Sequence, residues 1–376
     1  MRLLSLDIKN FRNINRLSIE PSSGVNLFWG SNGQGKTNIL EAIYYLVTGR
    51  SFRSRMDRET LPWDSGTDTV VTVKGRVQTA HSSYEIVVGI SRNQKKVTCN
   101  GKTLSSLGLL WGKMNAVLFT PSDLSVVQGP PGERRRFLDM EGSQIDPQYL
   151  YHLQRYYQVL RQRNALLKTP AEEDELDANI EAWDHQMALS AAEIYCFRRN
   201  FIRRLASASS DIYEKISGSS ENMDLYYDNF IGEDNPSLMQ PVVESLYLKK
   251  LRKSRAEDLY RGTTTVGPHR DDFIIHLDKQ NARTYASQGQ QRTAIISLRL
   301  AEIVIMKEYT GHPPILLLDD IGSELDIKRR SSLLRLLGGD HQTFITGTDP
   351  DTLGHDLTVQ NNFKVENGYV SETGNG

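Results

Sequence analysis

A glycine-rich segment near the N-terminus constrains the fold of this chain more than any other feature. Residues 30–37 read GSNGQGKT, which matches the phosphate-loop pattern G-x-x-x-x-G-K-T in full. An apolar run from Val25 to Trp29 precedes the segment, and apolar residues at helical spacing follow it from Ile39 onward. The pattern therefore predicts a strand, a phosphate-binding loop and a helix, in that order, within an α/β nucleotide-binding domain.

This loop is expected to bind a nucleoside triphosphate together with Mg²⁺. Its glycines let backbone N–H groups wrap the phosphates, and the N-terminus of the following helix favours negative charge. Lys36 would contact the terminal phosphates and act in catalysis, and the Thr37 hydroxyl would bind Mg²⁺. The predicted nucleotide-binding residues here are Gly30, Ser31, Asn32, Gly33, Gln34, Gly35, Lys36, Thr37 and Asn38.

A second motif lies near the C-terminus, where Asp319 and Asp320 follow the continuously apolar run Ile315–Leu318. Such a run is typical of a strand that is covered on both faces of a parallel sheet. Ligands bind at the carboxyl ends of strands in open α/β sheets. Asp319 would therefore bind Mg²⁺ directly or through an intervening ligand of the metal, and Asp320 would orient or deprotonate the attacking water.

A third motif, SQGQQ at residues 287–291, begins a predicted amphipathic helix shortly before the acidic strand. The Ser287 hydroxyl and the Gly289 amide at a helix N-terminus would form another anion site, with Gln290 beside them. One chain would then carry two phosphate-binding surfaces. If they lie on opposite sides of the domain, a second copy must complete each, which predicts a symmetric homodimer that holds two nucleotides.

The length of 376 residues suits an α/β head interrupted by a mainly helical lobe. We assign residues 1–128 and 262–376 to the head and residues 129–261 to the lobe. Cys99 and Cys196 lie far apart in sequence, which argues against a zinc site and a disulfide scaffold. No run approaches the ~18 apolar residues of a membrane span, and we expect a cytoplasmic protein with no membrane partner.

A formal net charge of −1 means that any contact with DNA must come from local basic patches. Such patches give salt-sensitive binding that does not depend on base sequence, although charge runs are also common on solvated surfaces. Two clusters are retained as candidate DNA contacts: Arg198, Arg199, Arg203 and Arg204, and Lys249, Lys250, Arg252 and Arg255.

Other residues receive more ordinary interpretations. Arg53 follows the phosphate-loop helix closely and is expected near the nucleotide, whereas Arg134–Arg136 suits a structural ion pair. The stretch Tyr149, Tyr151, Tyr156 and Tyr157 is expected in the core of the lobe. A structural or DNA-facing role suits His269 better than metal binding or general-base catalysis.

Together these motifs resemble the ABC-type ATPases of chromosome maintenance and, more narrowly, the RecF family of DNA-repair mediators. The likeness covers nearly the whole chain. It depends on the order and spacing of NFRN at 10–13, the phosphate loop, GRSFRS at 49–54, FTPSDL at 119–124, RRRFLD at 134–139, GPHRDD at 267–272, SQGQQ at 287–291 and LLDDIGSELD at 317–326.

The resemblance implies an ABC-type P-loop ATPase head, slow ATP hydrolysis and ATP-dependent dimerisation. It also implies binding to double-stranded DNA and single-strand/double-strand junctions, and cooperation with RecR and RecO in loading RecA at gaps. By position, Arg12 and Asn13 would lie near the adenine and phosphates, Ser287 and Gly289 would contact phosphate in trans, and Ser323–Asp326 would form part of the dimer interface.

The chain departs from the general ABC pattern in ways that imply weak activation of water. Most such ATPases have Glu where Asp320 stands, and a histidine in the segment that here reads ITGTD at 345–349. The usual glutamine loop is replaced by Thr120–Asp123. The sequence thus favours a nucleotide-timed clamp over a motor.

Three alternatives remain. A transporter ATPase subunit fits poorly with the long separation of the two motifs and with the Asp-Asp pair. A chromosome-cohesion head would need coiled-coil arms, whereas the lobe is short and interrupted at Pro170 and the acidic stretch from Glu172. A nuclease-coupled head would need a further cluster of metal-binding side chains, which the sequence does not show.

Overall fold

The computed structural model describes residues 1–376 except 55, 64–65, 67, 170–172, 219–220, 233–237, 321–326, 338–340, 351–357 and 374–376. The chain forms two compact units: unit 1 comprises Met1–Asp123 and Ile295–Gly376, and unit 2 comprises Leu124–Ala294. These boundaries differ from the predicted ones at residues 128 and 261. The strand Asp272–Leu277 pairs along its whole length with Met223–Asp228 and therefore belongs to unit 2.

Unit 1 contains a six-stranded sheet in the order β15–β14–β3–β13–β12–β8. The strands from β14 to β8 in this order run parallel to one another, and β15 is antiparallel at the edge. Their bounds are β3 Val25–Trp29, β8 Ala116–Phe119, β12 Ile315–Leu318, β13 Thr343–Gly347, β14 Val359–Glu366 and β15 Tyr369–Thr373. The apolar strands were predicted, but β14 and β15, which are rich in polar residues, were not.

A second six-stranded sheet of unit 1 is antiparallel, in the order β2–β1–β4–β5–β6–β7. Its strands are β1 Arg2–Phe11, β2 Ile14–Ile19, β4 Val71–Gln78, β5 Ser83–Ile90, β6 Lys95–Cys99 and β7 Lys102–Thr103. Asn100 and Gly101 join β6 to β7 with φ angles of 49° and 75°. Positive φ at both positions is what the Asn-Gly hairpin turn predicted from the sequence requires.

Helix α1 (Lys36–Thr48) is buried along most of its length because it packs against strands of both sheets. It ends at Gly49, whose left-handed conformation (φ 68°) lets its N–H bond the carbonyl oxygen of Tyr45. Later helices are α8 (Gln288–Thr310) and α9 (Ile327–Leu337), close to the predicted bounds. The predicted interface segment Ser323–Asp326 lies outside the described residues.

Unit 2 is mainly helical, with a three-stranded sheet in the order β11–β10–β9. Strand β9 was not predicted. Its alternating pattern spans only six residues and lies in a stretch whose composition is typical of a loop. Its elements are α2 Leu124–Gln128, α3 Pro131–Ile145, α4 Pro147–Leu166, α5 Glu173–Ser217, β9 Met223–Asp228, α6 Gln240–Arg261, β10 Asp272–Leu277, β11 Gln280–Asn281 and α7 Ala282–Tyr285.

Buried ion pairs connect the elements of unit 2. Arg163 of α4 is fully buried, and its guanidinium donates to Asp184 at 2.7 Å and to Asp258 at 2.8 Å. Removing one partner from such a group leaves an uncompensated buried charge and costs about 3–5 kcal/mol. Arg134 likewise donates through two nitrogens to Asp272, which confirms the structural role predicted for it.

Part of the aromatic stretch lies in the core, as predicted, and His269 has structural contacts. Tyr149 and Tyr156 are buried, although Tyr151 is exposed. The Tyr156 hydroxyl lies 2.6 Å from Nδ1 of His269, and Nε2 lies 3.2 Å from the carbonyl oxygen of Thr264. A carbonyl only accepts, so Nε2 carries the proton and Nδ1 accepts from the tyrosine. Burial is the main cause that lowers the pKa of His269 to about 4.

Within the described part of the chain, no helix has both the length and the apolar character needed to cross a membrane.

Candidate functional site

The phosphate loop connects β3 to α1 and requires glycine at several positions. Gly30, Gly33 and Gly35 have φ angles of 150°, 80° and 110°, which other residues adopt only with strain. A Cβ at Gly30 would lie 2.3 Å from the carbonyl oxygen of Val365, so this close approach also requires glycine. Gly35 precedes α1 and provides no side-chain cap. The N-terminal N–H groups of α1 are therefore arranged to receive an anion.

Lys36 turns its side chain back across the loop. Its ammonium donates to the carbonyl oxygens of Gly30 at 2.5 Å and Ser31 at 2.9 Å, and the residue is buried. Burial lowers the pKa of Lys36, while the negative charges of Asp320 and Asp319 act to raise it. The ammonium is thus held close to the loop and the acidic pair, where predicted terminal phosphates would bind.

A chain of hydrogen bonds joins the phosphate loop to the end of β12. The Thr37 hydroxyl donates to Oδ1 of Asp319 at 2.8 Å, and the Thr346 hydroxyl donates to the same oxygen at 2.9 Å. Burial raises the pKa of Asp319, and the two hydroxyl hydrogen bonds oppose this rise. Strands β3, β13 and β12 are consecutive in the sheet, which is why their carboxyl ends meet here.

Asp320 is held in an unusual backbone conformation beside this chain. Its φ of 50° lies in the left-handed region, which Asp tolerates better than most residues. Its N–H donates to the Thr346 hydroxyl at 2.8 Å. Thr346 therefore fixes the backbone of Asp320 and the carboxylate of Asp319 at once. The sequence showed that this segment offers hydroxyls and a carboxylate in place of the usual histidine, but it did not show this positioning role of Thr346.

Thr37 and Asp319 present suitable oxygen ligands for a Mg²⁺ ion. Mg²⁺ prefers hard oxygen ligands and retains several waters, so a hydroxyl and a carboxylate from the protein suffice alongside nucleotide phosphates. The two side-chain oxygens already point at one another, and the carboxylate is largely withdrawn from solvent. The residues present therefore fit the predicted metal.

Arg12, expected beside the nucleotide, is anchored to α1 by a buried carboxylate. Its guanidinium donates to the two carboxylate oxygens of Glu41 at 2.6 and 2.7 Å and also bonds Ser54. Glu41 is fully buried and accepts a further short hydrogen bond from Ser51. Sequence reasoning missed Glu41, because an acid inside an amphipathic helix gives no signal until its distant partner is known.

Asn13 contacts the phosphate loop directly. Its amide donates to the carbonyl oxygen of Gln34 at 3.0 Å, and its side-chain oxygen accepts from Asn38 at 2.7 Å. A Cβ at Gly35 would lie 2.6 Å from the same Asn13 oxygen. Arg53 donates to Asn38 at 2.9 Å, so it lies beside the loop as the sequence predicted. The predicted nucleotide-binding residues of this region thus form one connected group within unit 1.

The third motif lies in unit 2 and forms a reciprocal helix cap. Ser287 precedes α8, and its hydroxyl accepts from the N–H of Gln290 at 3.2 Å. In return, the side-chain oxygen of Gln290 accepts from the N–H of Ser287 at 2.8 Å. This pattern is a capping box. It leaves Ser287 exposed at the N-terminus of a long helix, which is the setting expected of an anion-binding serine.

The structure corrects part of the predicted DNA surface. Arg198 and Arg199 are buried, and the Arg198 guanidinium donates to Asp139 and to the carbonyl oxygen of Pro268. They cannot serve as a solvent-facing surface for DNA phosphates, so the prediction for these two residues was wrong. Their helical spacing was correct, but it could not reveal which face of α5 packs inward.

The remaining candidate DNA-binding residues differ in how far their side chains are exposed to solvent. Arg203 and Arg204 are exposed on α5, and Lys249 and Arg252 are exposed on α6. Lys250 is half-buried, and its ammonium lies 6.0 Å from the ring centre of Phe230. Two of the α6 candidates are paired with acids: Arg252 with Glu181, and Arg255 with both Glu181 and Asp184.

Unit 1 has the architecture of a P-loop ATPase, with a phosphate loop after one strand and an acidic pair after another strand of the same parallel sheet. The chain resembles the Smc head domain of Pyrococcus furiosus with a TM-score of 0.56 and 16% identity, over 99% of this chain and 95% of that chain. This likeness shows the fold, which is that of an ABC-type ATPase head.

More specific comparisons identify the family. The family model described as RecF/RecN/SMC N terminal domain matches residues 2–370. DNA replication and repair protein RecF of Natranaerobius thermophilus is 37% identical over 98% of this chain and 97% of its own length, and that of Lactobacillus johnsonii is 40% identical over 96% of both. The chain belongs to the RecF family, which confirms the resemblance inferred from its motifs.

A solved structure supports the same assignment. The structure of the recombination mediator protein RecF-ATP in the RecFOR pathway matches with a TM-score of 0.89 and 35% identity, over 99% of this chain and 97% of that chain. The family assignment replaces the transporter and chromosome-cohesion alternatives.

Proposed function

We propose that this protein is an ATP-dependent DNA clamp of recombinational repair. The observation that carries the proposal is the direct hydrogen bond between Thr37 and Asp319. It brings the phosphate loop and the acidic strand end into one site, so binding and hydrolysis of a nucleotide share the same residues. The match to a RecF structure whose description includes ATP supports ATP as the nucleotide.

In this site the phosphates of ATP occupy the loop from Gly30 to Thr37. The glycines expose backbone N–H groups, and Lys36 exchanges its carbonyl partners for phosphate oxygens. Thr37 and Asp319 would hold Mg²⁺, which supplies positive charge against the charge that develops on the phosphates. Asn13 fixes the loop from outside through its bond to Gln34.

Hydrolysis requires a water placed in line with the terminal phosphorus. Asp320 is assigned to orient that water and accept its proton, and Thr346 holds the backbone of Asp320 in place. The segment 345–349 has no histidine, the residue that most ABC-type ATPases have there, and the Thr346 hydroxyl cannot accept a proton near neutral pH. Asp is also one methylene shorter than Glu. Both features favour slow turnover and a long-lived ATP state.

The second phosphate surface suggests how ATP closes a homodimer. Ser287 and Gly289 lie at an exposed helix N-terminus that belongs to unit 2, whereas the phosphate loop belongs to unit 1. We propose that Ser287 of the partner subunit contacts the terminal phosphate bound to the loop. ATP then binds the closed dimer more tightly than the open state. This difference in affinity is the only energy source that the switch requires.

DNA binding is assigned to the exposed cations of unit 2. Arg203, Arg204 and Lys249 offer positive charge to phosphates without reading base sequence. We propose double-stranded DNA and single-strand/double-strand junctions at gaps as the ligands. With RecR and RecO, the ATP-bound dimer would promote loading of RecA. The RecFOR pathway named for the matched solved structure supports this assignment.

A DNA-binding titration tests this function. Retention of duplex, single-stranded and gapped DNA would be measured with and without ATP and Mg²⁺, for the natural protein and for Lys36→Ala. We expect ATP to strengthen binding to duplex and gapped DNA at least about tenfold, and Lys36→Ala to abolish that gain. Equal binding with and without ATP would refute an ATP-dependent clamp.

A further inference from the structure

The capping box at the N-terminus of α8 is held by an acid from outside the motif. The side-chain nitrogen of Gln290 donates to Oε1 of Glu221 at 2.7 Å, although the two residues are 69 positions apart in sequence. The other carboxylate oxygen of Glu221 accepts from the Tyr213 hydroxyl at 2.9 Å. Hydrogen bonds therefore connect Tyr213 of α5, through Glu221, to the side chain that caps Ser287.

Glu221 determines the orientation of the Gln290 amide. A carboxylate only accepts hydrogen bonds, so the amide nitrogen of Gln290 faces Glu221. The amide oxygen then faces the N–H of Ser287, from which it accepts at 2.8 Å. If the amide were turned round, its NH₂ group would face the Ser287 N–H, and two donors cannot bond one another. The capping box therefore depends on an acceptor at the position of Glu221.

The segment that carries Glu221 is itself fixed within unit 2. The Ser210 hydroxyl of α5 donates to the side-chain oxygen of Asn222 at 3.0 Å. The N–H of Asn222 donates to the Asp278 carboxylate at 2.9 Å, and the N–H of Asp278 donates back to the Asn222 carbonyl at 2.9 Å. Tyr213, which orients the carboxylate, is fully buried. The acceptor for Gln290 is thus held in place on several sides.

The charge of Glu221 does not suit a contact with the ligand of this site. A negative charge beside a site proposed for phosphate is unfavourable on electrostatic grounds alone, so attraction of the phosphate cannot explain this acid. The hydroxyl oxygen of Ser287 accepts from the N–H of Gln290 at 3.2 Å. A serine oxygen that accepts in a cap still has its own hydrogen to donate. A closed capping box therefore keeps Ser287 ready to donate to a phosphate.

We propose that Glu221 is a positioning residue for the phosphate contact of Ser287. By holding the Gln290 amide, it keeps the capping box closed in the free subunit, so that Ser287 is already ordered when the nucleotide of a second subunit arrives. Ordering a side chain before association lowers the entropic cost of binding. The inference rests on the proposed function, because it requires that ATP joins two copies of the chain through Ser287.

The experiment separates the hydrogen bond of Glu221 from its charge. Sedimentation equilibrium with Mg²⁺ and a non-hydrolysable ATP analogue would give the dimer dissociation constant of the natural protein, Glu221→Ala and Glu221→Gln. Glu221→Ala should weaken dimerisation about 3- to 10-fold, because the Gln290 amide loses its acceptor. Glu221→Gln keeps an acceptor oxygen and should retain most of the affinity. An effect of charge alone would make both variants dimerise more tightly.

A double-mutant cycle tests whether Glu221 acts through Ser287. If it does, Glu221→Ala combined with Ser287→Ala should dimerise no more weakly than Ser287→Ala alone. A general loss of stability would instead add to the effect of Ser287→Ala. Binding of the analogue at concentrations too low for dimers should be equal in all variants, because the phosphate loop belongs to unit 1.

The matched control is Glu214→Ala, which removes an exposed acid from the same end of α5 and should dimerise as the natural protein does. If Glu221→Ala does not fold, as judged by circular dichroism, Tyr213→Phe tests the same hydrogen bonds and should weaken dimerisation about two- to fivefold.

Unchanged or tighter dimerisation of Glu221→Ala, or of Tyr213→Phe in its place, would overturn the proposal. A loss that adds to that of Ser287→Ala would overturn it as well. Failure of the natural protein to dimerise with the analogue would instead refute the proposed ATP-dependent homodimer.

Discussion

The hydroxyl of Thr37 and the carboxylate of Asp319 lie 2.8 Å apart, although the two residues are 282 positions apart in sequence. The contact follows from sheet order, because β3 and β12 both flank β13 and run parallel to it. Their following residues therefore emerge at one edge of the sheet. The same edge receives Thr346, which completes the contact.

Asp319→Asn should weaken Mg²⁺-dependent binding of ATP by at least about tenfold. The amide keeps the shape and one oxygen, but it removes the negative charge that a hard divalent cation favours. Titrations at fixed ATP with increasing Mg²⁺ would measure the loss. Asp68→Asn, at an exposed position of the same unit, is the matched control and should behave as the natural protein. Identical Mg²⁺ dependence in the two variants would exclude Asp319 as a metal ligand.

Asp320→Asn should slow hydrolysis roughly 100-fold, since a positioned general base commonly contributes that much or more. ATP affinity should change by no more than about twofold, because Asp320 is assigned to water and not to phosphate. Single-turnover hydrolysis and equilibrium binding would be measured on the same samples. Turnover equal to that of the natural protein would remove Asp320 from the mechanism.

Reversing the charge at Arg203 and Arg204 should flatten the salt dependence of DNA binding. If each contacts one phosphate, the slope of log affinity against log salt should fall in magnitude by about 2. Lys96→Glu with Lys102→Glu provides a control of equal charge change on exposed positions of unit 1. A slope shared by all three proteins would leave the α5 cations without a role in DNA binding.

His269 should make the stability of the protein depend on pH. The pKa of His269 is about 4 in the folded chain, whereas its ordinary value is 6.5. Between these two pH values the unfolded chain therefore binds more protons than the folded chain. By linkage, its contribution to stability is full above pH 6.5 and is lost as pH falls toward 4, by up to about 1.4 kcal/mol per pH unit.

This dependence is best measured as a difference between proteins. Denaturant unfolding of the natural protein and His269→Gln would be followed from pH 4 to 7.5. The stability advantage of the natural protein should shrink as pH falls from 6.5 to 4, because only the natural protein carries the titrating ring. Other groups, including Asp271, whose pKa burial raises to about 6, largely cancel in the difference. A constant difference would contradict the buried neutral histidine.

Local sequence patterns were sufficient for much of the site. The phosphate loop, Thr37 and the acidic pair each follow an apolar strand, so motif and strand together predicted where they emerge. Glu41 and Thr346 were not predicted as organising residues. Their roles depend on partners contributed by remote segments, Arg12 for the first and Asp319 for the second.

For the basic clusters, by contrast, the sequence could not predict which residues are exposed. Helical spacing grouped Arg198 with Arg204 on α5, but Arg198 is turned toward Asp139 and Pro268 inside unit 2. The charge of a residue does not indicate whether it is buried. A buried arginine requires hydrogen-bond acceptors, and the sequence does not show which remote segments supply them. The same reason explains why Arg163 was not recognised as the centre of an ion network.

Light scattering tests the central claim most directly, since the account depends on ATP joining two copies of the chain. The protein would be measured at tens of micromolar with Mg²⁺ and a non-hydrolysable ATP analogue, alongside Ser287→Ala and the control Thr284→Ala, another exposed hydroxyl near α8. We expect dimers for the natural protein and the control. Ser287→Ala should bind the analogue as a monomer and dimerise at least about tenfold more weakly, from the loss of a hydrogen bond to a charged phosphate. Monomers alone in the natural protein saturated with analogue would contradict the clamp.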